Sequence, residues 1–298
     1  MAVKTVQAVI NGVTHTLTLN SSTGKYEATI TAPTKSSYTQ SGHYYGVTVT
    51  ATDDAGNSTT KNATDSTLGS SLQLRVLEKV APVITITSPT DGSVLINNKP
   101  TFEWTITDDD SGVDPSTIKI KIDSTTVSDG ITKTAITGGY RCTYTAASAL
   151  TDGKHTFTLS ASDYDGNAAT AKSATITIDT VAPTLNVTAP ENNLVTNKTS
   201  VLVSGVTNDA TTSPVTLKIN GTAVDVGSDG SFSHTVALSE GVNTITIVAT
   251  DGAGKATTVT RTVTLSTSAP VISAVTITPN PVDAGATYVI SVTVTDES

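Results

Sequence analysis

Alternating apolar and polar residues recur along this chain and predict β-strands. Residues 102–106, 118–122 and 157–161 each carry an apolar side chain at every second position, with polar residues between them. A period of two places one row of side chains in a core and the other in solvent. No stretch of useful length has the helical period, so the pattern predicts an all-β protein.

The residues around these strands predict a β-sandwich. Further strand-like segments lie near 83–87, 131–136, 139–145 and 169–178. Together they give about seven strands, the number found in an immunoglobulin-like sandwich of ~100 residues.

A repeated phrase divides the chain into modules. Val80-Ala81-Pro82 and the apolar strand after it return at Val181-Ala182-Pro183 and, loosely, at Ser268-Ala269-Pro270. The intervals are about one sandwich long, at roughly 100 residues. We therefore predict tandem immunoglobulin-like β-sandwiches in an extended array, joined by short, proline-restricted linkers. The predicted bounds are an abbreviated first module at 1–79, a second module at 80–180, a third module at 181–267, and a partial module of two strands at 268–298.

The two ends of the chain look incomplete. Ile10-Asn11-Gly12 matches Ile219-Asn220-Gly221, but far fewer residues precede it, so the first module is expected to lack its first two strands. Residues 271–278 and 288–295 supply two such strands at the other end. Two interpretations stay open: an abbreviated sandwich with a separate C-terminal fragment, or strand exchange in which one copy completes the next.

The composition of the chain narrows the classes of partner that it could bind. The net charge of −9 disfavours nucleic acid and anionic membrane surfaces. No apolar stretch approaches the ~20 residues of a membrane span. Residues 1–6 do not resemble the start of a secretory signal, so synthesis in the cytoplasm is expected. A single cysteine, Cys142, cannot form an internal disulfide; it shares a strand face with Tyr140 and Tyr144 and is expected to be a buried thiol.

An acidic turn recurs between the last two strands of each module. Its copies are 53–57, 163–167 and 251–255, each beginning with Asp and carrying Gly at the fourth position. The turn is interpreted as structural, with the first Asp accepting backbone N–H groups and Gly at positive φ. The alternative is a calcium ligand at a module junction, which Lys255 in place of Asn weakens in the third copy.

A second acidic cluster follows the strand that bears Trp104. Residues 108–114 include four aspartates but lack the spacing of an EF-hand loop. A solvated turn is expected, with calcium again the alternative.

No other constellation predicts chemistry. His15, His43, His155 and His234 are scattered without ligand partners at a metal-binding spacing, and are expected to be surface residues. Tyr38, Tyr44 and Tyr45 are expected to fill the shortened first core, or else to contact a sugar or protein. We therefore assign no catalytic, cofactor-binding or metal-ligating residue, predict no enzyme activity, and leave calcium as the one cofactor open.

Several motifs resemble bacterial immunoglobulin-like repeat domains. These are the Ala-Pro module starts, the turns Ser88-Pro89-Thr90-Asp91-Gly92 and Ala189-Pro190-Glu191-Asn192-Asn193, and the Ala-Thr-Asp turns with their glycine. Domains of this kind form stalks of bacterial surface adhesins and appendages of tailed-phage virions. Residues 10–30 also look like proteins found among prophage tail genes of Gram-positive bacteria.

The resemblance implies binding, spacing or decoration without catalysis. The predicted function is a phage virion component (tail, baseplate or capsid decoration) located on the virion. Its expected partners are other virion proteins or copies of itself, and a cell-surface glycan or protein, with no nucleic acid and no membrane. The alternative is a fragment of an exported adhesin stalk, stiffened by calcium.

Overall fold

The computed structural model describes residues 2–295 and contains only β-strands, turns and loops in that range. No helix among these residues is long and apolar enough to cross a membrane. The residues group into two compact units, one of residues up to 93 with 98–177, the other of 94–97 with residues from 178 onward. The prediction of an all-β protein with tandem immunoglobulin-like sandwiches is confirmed.

The first module contains one sheet. Its strands are β1 (Val3–Ile10), β2 (Val13–Asn20), β3 (Lys25–Glu27), β4 (Tyr45–Asp53), β5 (Ser58–Lys61) and β6 (Gln73–Leu74), with single 3-10 turns at Ser41–His43 and Gly69–Leu72. The sheet order is β3-β2-β1-β4-β5, and β6 pairs with β4.

The second module is a two-sheet sandwich. Its strands are β7 (Val83–Ser88), β8 (Val94–Leu95), β9 (Thr101–Thr107), β10 (Val113–Ile122), β11 (Thr125–Val127), β12 (Thr132–Ile136), β13 (Gly139–Thr145), β14 (Gly153–Asp163) and β15 (Lys172–Ile178). One sheet runs β12-β13-β9-β7 and the other contains β11-β10-β14-β15. The Phe102 and Phe157 rings, 4.9 Å apart between centroids, meet from the two sheets. Apolar residues of the alternating stretches are buried as predicted, with Trp104 1% exposed.

The third module repeats the sandwich. Its strands are β16 (Thr184–Ala189), β17 (Leu194–Thr196), β18 (Ser200–Asn208), β19 (Thr216–Ile219), β20 (Thr222–Val224), β21 (Ser231–Ala237), β22 (Gly241–Thr250) and β23 (Ala256–Leu265). The sheets are β16-β18-β21 and β17-β23-β22-β19-β20. Between them lies an aliphatic core around Phe232.

The first module corresponds to one half of this sandwich. Its order β2-β1-β4-β5 reproduces the order β20-β19-β22-β23, including the Asn11-Gly12 and Asn220-Gly221 turns at positive φ. Among the described residues of the first module no second sheet matches β16-β18-β21.

The residue types of Asp229-Gly230 predict a two-residue hairpin turn, and this prediction is wrong. The Asp229-Gly230 turn does not join paired strands, because β20 and β21 belong to different sheets. The turn closes on itself through Gly227 N–H to the Ser231 carbonyl at 2.8 Å. The sequence shows the turn chemistry, but the sheet that each flanking strand joins is decided by core packing.

The last described residues form a separate hairpin. Strands β24 (Val271–Thr278) and β25 (Val289–Thr295) pair only with each other among residues 2–295, and their side chains are exposed on both faces. These are the two strands predicted there. Residues 296–298 of the predicted partial module lie outside the described residues.

Candidate functional site

The three acidic turns share one hydrogen-bonding plan. In each turn the first aspartate uses Oδ1 to accept a backbone N–H four residues on, from Asn57 at 2.9 Å, Asn167 at 2.7 Å and Lys255 at 2.8 Å. The glycine before that residue has φ of 90°, 91° and 85° in the three copies, a conformation that glycine adopts without strain. The structural role predicted for these turns is confirmed.

The turns differ at the second carboxylate oxygen. The Asn57 amide donates to Asp53 Oδ2 at 2.9 Å, and the Asn167 amide donates to Asp163 Oδ2 at 2.7 Å. Lysine occupies this position in the third module. There, Asp251 Oδ2 is buried and has no hydrogen-bond partner.

Two of these aspartates belong to clusters of three acidic side chains. The second-module triad is Glu78, Asp108 and Asp163, and the third-module triad is Asp179, Asp209 and Asp251. In each triad, one carboxylate oxygen from every member lies within 4.8 Å of those of the others.

The two triads are built from equivalent places in the repeat. Glu78 and Asp179 each stand two residues before a Val-Ala-Pro phrase. Asp108 follows β9 and Asp209 follows β18, the second long strand of each module. The third member is the first residue of the acidic turn. A linker, a loop and a turn therefore converge at the same end of both modules.

The prediction of a solvated turn is wrong for Asp108, although Asp109 beside it is exposed. Asp108 is 7% exposed, and its Oδ1 accepts the N–H groups of Asp110 at 3.0 Å and Gly112 at 2.8 Å. A carboxylate with these donors is desolvated without being left unpaired. The run of aspartates is consequently a folded loop whose first residue faces inward.

The second-module triad lies where the first and second modules meet. Glu78 Oε1 accepts the Ser111 N–H at 2.6 Å, and the Glu78 N–H donates to Asp165 Oδ2 at 2.9 Å. Across the same junction, Asp110 Oδ1 accepts the Ser36 N–H at 3.0 Å. Backbone N–H groups of each module therefore donate to acidic side chains of the other module.

The environment of Glu78 favours its protonated form. Burial raises the pKa of this carboxyl, and the nearby charges of Asp108 and Asp110 raise it further, against the opposing bond from Ser111. With Lys35, these acids line a groove of about 240 Å³.

An aromatic stack joins the same two modules. The Tyr38 ring lies 4.1 Å from the Tyr164 ring at an interplanar angle of 9°, and its other contact is the His43 ring at 4.2 Å. Of Tyr38, Tyr44 and Tyr45, Tyr45 is the one that is buried. Its hydroxyl donates to the Lys35 carbonyl at 3.2 Å. The core-filling prediction holds for Tyr45, whereas Tyr38 serves the junction.

The third-module triad is more deeply buried. Asp179 is 0%, Asp209 8% and Asp251 6% exposed. Asp209 Oδ1 accepts the N–H groups of Thr211 at 2.8 Å and Thr212 at 2.7 Å. The Thr212 hydroxyl donates to Asp179 Oδ2.

Two other polar residues have clear structural roles. Cys142 is buried as predicted, and burial raises the pKa of its thiol to about 11, so it is not a nucleophile at neutral pH. His155 is buried, against the expectation of a surface residue. Its Nδ1 lies 2.7 Å from Asp123 Oδ2, and its Nε2 lies 2.7 Å from the Thr151 carbonyl.

The His155 pair was not visible in the sequence, because its partner lies on a distant turn. Burial lowers the pKa of this imidazole, but the bonds to Asp123 and the Thr151 carbonyl outweigh it and raise the pKa overall. His155 lies near the start of β14, and Asp123 follows β10 at positive φ. The pairing of these two strands brings the side chains together, and the order of residues in the sequence does not show this pairing.

These sandwiches and junctions define a tandem array of immunoglobulin-like β-sandwiches. Residues 82–159 match the family described as Bacterial Ig domain, and residues 183–267 match the family described as Glucodextranase, domain B.

The chain is also similar to other known proteins and solved structures. Bacillopeptidase F of Bacillus subtilis (strain 168) is 32% identical over 193 residues, which are 65% of this chain and 12% of that protein. The chain thus spans about an eighth of the length of this curated relative. Similar solved structures include fibronectin(III)-like modules of Clostridium thermocellum CbhA (20% identity, TM-score 0.36, 61% of this chain and 94% of that one). An I-band fragment of titin matches with 14% identity and TM-score 0.47, over 89% of this chain and 88% of that one.

Proposed function

We propose that this chain is a non-catalytic structural and binding segment, which spaces or displays neighbouring parts of an assembly. The observation that carries the proposal is the position of the chain's buried aspartates at the ends of the modules. Asp108, Asp163, Asp179, Asp209 and Asp251 are fixed at module ends by loop N–H groups or by hydroxyls, so they serve turns and junctions.

The described residues support the non-catalytic part of this proposal. Within residues 2–295 no serine or threonine hydroxyl and no cysteine thiol is bonded to a histidine ring, an arrangement on which nucleophilic hydrolysis commonly depends. The buried cores are packed with apolar side chains, and the acidic groove at the first junction has a volume of about 240 Å³.

The setting we propose is the surface of a phage virion. The chain would there contact other virion proteins or further copies of itself, and a glycan or protein of the host cell. The resemblance of residues 10–30 to prophage tail proteins supports this setting. The unpaired edges and exposed apolar residues of β24 and β25 offer a strand-pairing contact for such an assembly.

A second setting is the surface of a bacterium, as a segment of a longer exported protein. The match to Bacillopeptidase F favours it, because there the related region is a small part of a long bacterial chain. In that setting the modules would act as a spacer beside a domain with its own activity.

Immunogold electron microscopy separates the two settings. Antibodies against the purified chain would be applied to induced cultures of the encoding cell, and to particles purified from them. Gold on tails, baseplates or capsids supports the virion setting. Gold on the cell envelope, with unlabelled particles, contradicts it and supports the second setting. Hydrolysis of casein by the purified chain would contradict the non-catalytic proposal in either setting.

A further inference from the structure

The third-module triad has the properties of a cation site. Its carboxylates are at least nine-tenths buried and lie within 4.8 Å of one another. Three buried anions this close repel one another strongly unless a cation or protons neutralise them.

Asp251 provides an independent indication. Its Oδ1 is held by the N–H groups of Ala253 at 2.9 Å and Lys255 at 2.8 Å, so the carboxylate cannot rotate freely. Its Oδ2 is buried in the triad with no hydrogen-bond partner. A buried, unpartnered carboxylate oxygen is costly in a folded protein, and it is the donor that a metal ion requires.

We propose that Asp179, Asp209 and Asp251 bind one Ca²⁺ ion. Ca²⁺ takes oxygen ligands at about 2.3–2.6 Å, so ligands on opposite sides of the ion lie ~5 Å apart. The oxygens of this triad lie within 4.8 Å of one another, close enough to share one such ion. Mg²⁺ keeps several of its waters and is seldom held by an all-protein set of ligands, so a buried triad of carboxylates favours Ca²⁺.

The loops around the site place its oxygens in advance. Asp209 is oriented by two N–H groups of its own loop, and Asp251 by two of its turn. The Thr212 hydroxyl, bonded to Asp179, supplies a neutral oxygen beside the triad. The ion would hold the segment that enters the third module against both loops.

The second-module triad lacks the free oxygen. Asn167 Nδ2 donates to Asp163 Oδ2 at 2.7 Å, and a cation would have to displace this amide. In the third module Lys255 replaces this asparagine, and Asp251 Oδ2 is therefore left without a hydrogen-bond partner. One ion per chain is expected, bound in the third module.

Calcium titration of the full chain tests the proposal. Isothermal titration with CaCl₂ is expected to give one site that Asp209→Asn and Asp251→Asn each weaken at least tenfold. Asparagine can still accept the turn N–H bonds through its oxygen, so both variants keep that part of the fold. Asp163→Asn, in the other triad, and Asp229→Asn, an exposed residue of the third module, are the matched controls and should bind as the parent does.

A fold-preserving variant provides a second test. Lys255→Asn restores the residue found in the other two turns, and its amide would cover Asp251 Oδ2. Its calcium affinity is expected to fall at least tenfold, with unchanged circular dichroism. On calcium addition to the parent chain, the amide resonances of Thr211, Thr212 and Ala253 should shift.

Three results would overturn the proposal. They are no calcium binding at millimolar concentration, binding that survives both Asp209→Asn and Asp251→Asn, and magnesium binding as tight as that of calcium.

Discussion

The two acidic triads have the same origin in the repeat but differ in how their charge is used. In the second module, Asn167 covers the free oxygen of Asp163, and Glu78 accepts a backbone N–H from the neighbouring loop. In the third module Lys255 leaves the matching oxygen of Asp251 without a partner. One position in a five-residue turn therefore separates a hydrogen-bonded junction from a candidate cation site.

The largest expected effect is a difference in the free energy of unfolding between variants of the Asp163 turn and the Asp251 turn. Asp163→Ala removes a buried acceptor, 2% exposed, that receives both the N–H and the side-chain amide of Asn167, and should lower the free energy of unfolding by about 3 kcal/mol. Urea unfolding followed by the fluorescence of Trp104, the single tryptophan, measures it.

Asp251→Ala is the comparison variant for that experiment. In calcium-free buffer its loss should be smaller, because it also removes one charge from a crowded, repelling triad. Hydrogen exchange of β22 and β23 measures it. Equal losses for the two variants would contradict the difference drawn between the turns.

Calcium should stabilise the third module alone. At a free concentration of 100 times Kd, a ligand specific for the folded state adds about 2.7 kcal/mol to its stability. Hydrogen exchange should slow in β18, β22 and β23 and stay unchanged in β9 and β14. Equal slowing in both modules would place calcium in both triads.

The stack between Tyr38 and Tyr164 should couple the first module to the second. Offset or stacked rings contribute about 1 kcal/mol beyond area burial. A double-mutant cycle with Tyr38→Ala, Tyr164→Ala and both together isolates this term in urea unfolding. A coupling energy near zero would mean that the rings touch without stabilising the junction.

The smallest effect concerns pH at Glu78. Its pKa is raised in the folded chain, so its contribution to stability is fully present below its usual pKa and is lost as pH rises through the raised value. Glu78→Gln should remove this part of the pH dependence and leave the second module slightly more stable at neutral pH. Urea midpoints between pH 4 and 8, compared with Asp165→Asn as a control, measure it.

The sequence predicted the strands well, because burial on one face imposes a period of two. Residues 102–106 and 118–122 show this: their alternate residues form the second-module core. The turns were also predictable in their chemistry, since Asp and Gly have local roles at Asp163 and Gly166. These features depend on neighbours in sequence.

The triads could not be derived in the same way. Glu78, Asp108 and Asp163 come from a linker, a loop and a turn, and only the folded sandwich brings them together. The consequence of Lys255 could not be derived from the sequence either, since it depends on which oxygen of Asp251 the turn already uses. The Asp229-Gly230 turn was likewise assigned a hairpin that the sheet packing does not form.

Reciprocal exchange at the fifth turn position tests the central claim most directly. Calcium would be titrated into Lys255→Asn, Asn167→Lys and the double variant, with the parent chain alongside. The account predicts that Lys255→Asn loses the site, that Asn167→Lys creates a second calcium site at Glu78, Asp108 and Asp163, and that the double variant binds there alone. Unchanged calcium affinity and stoichiometry in all three variants would contradict it.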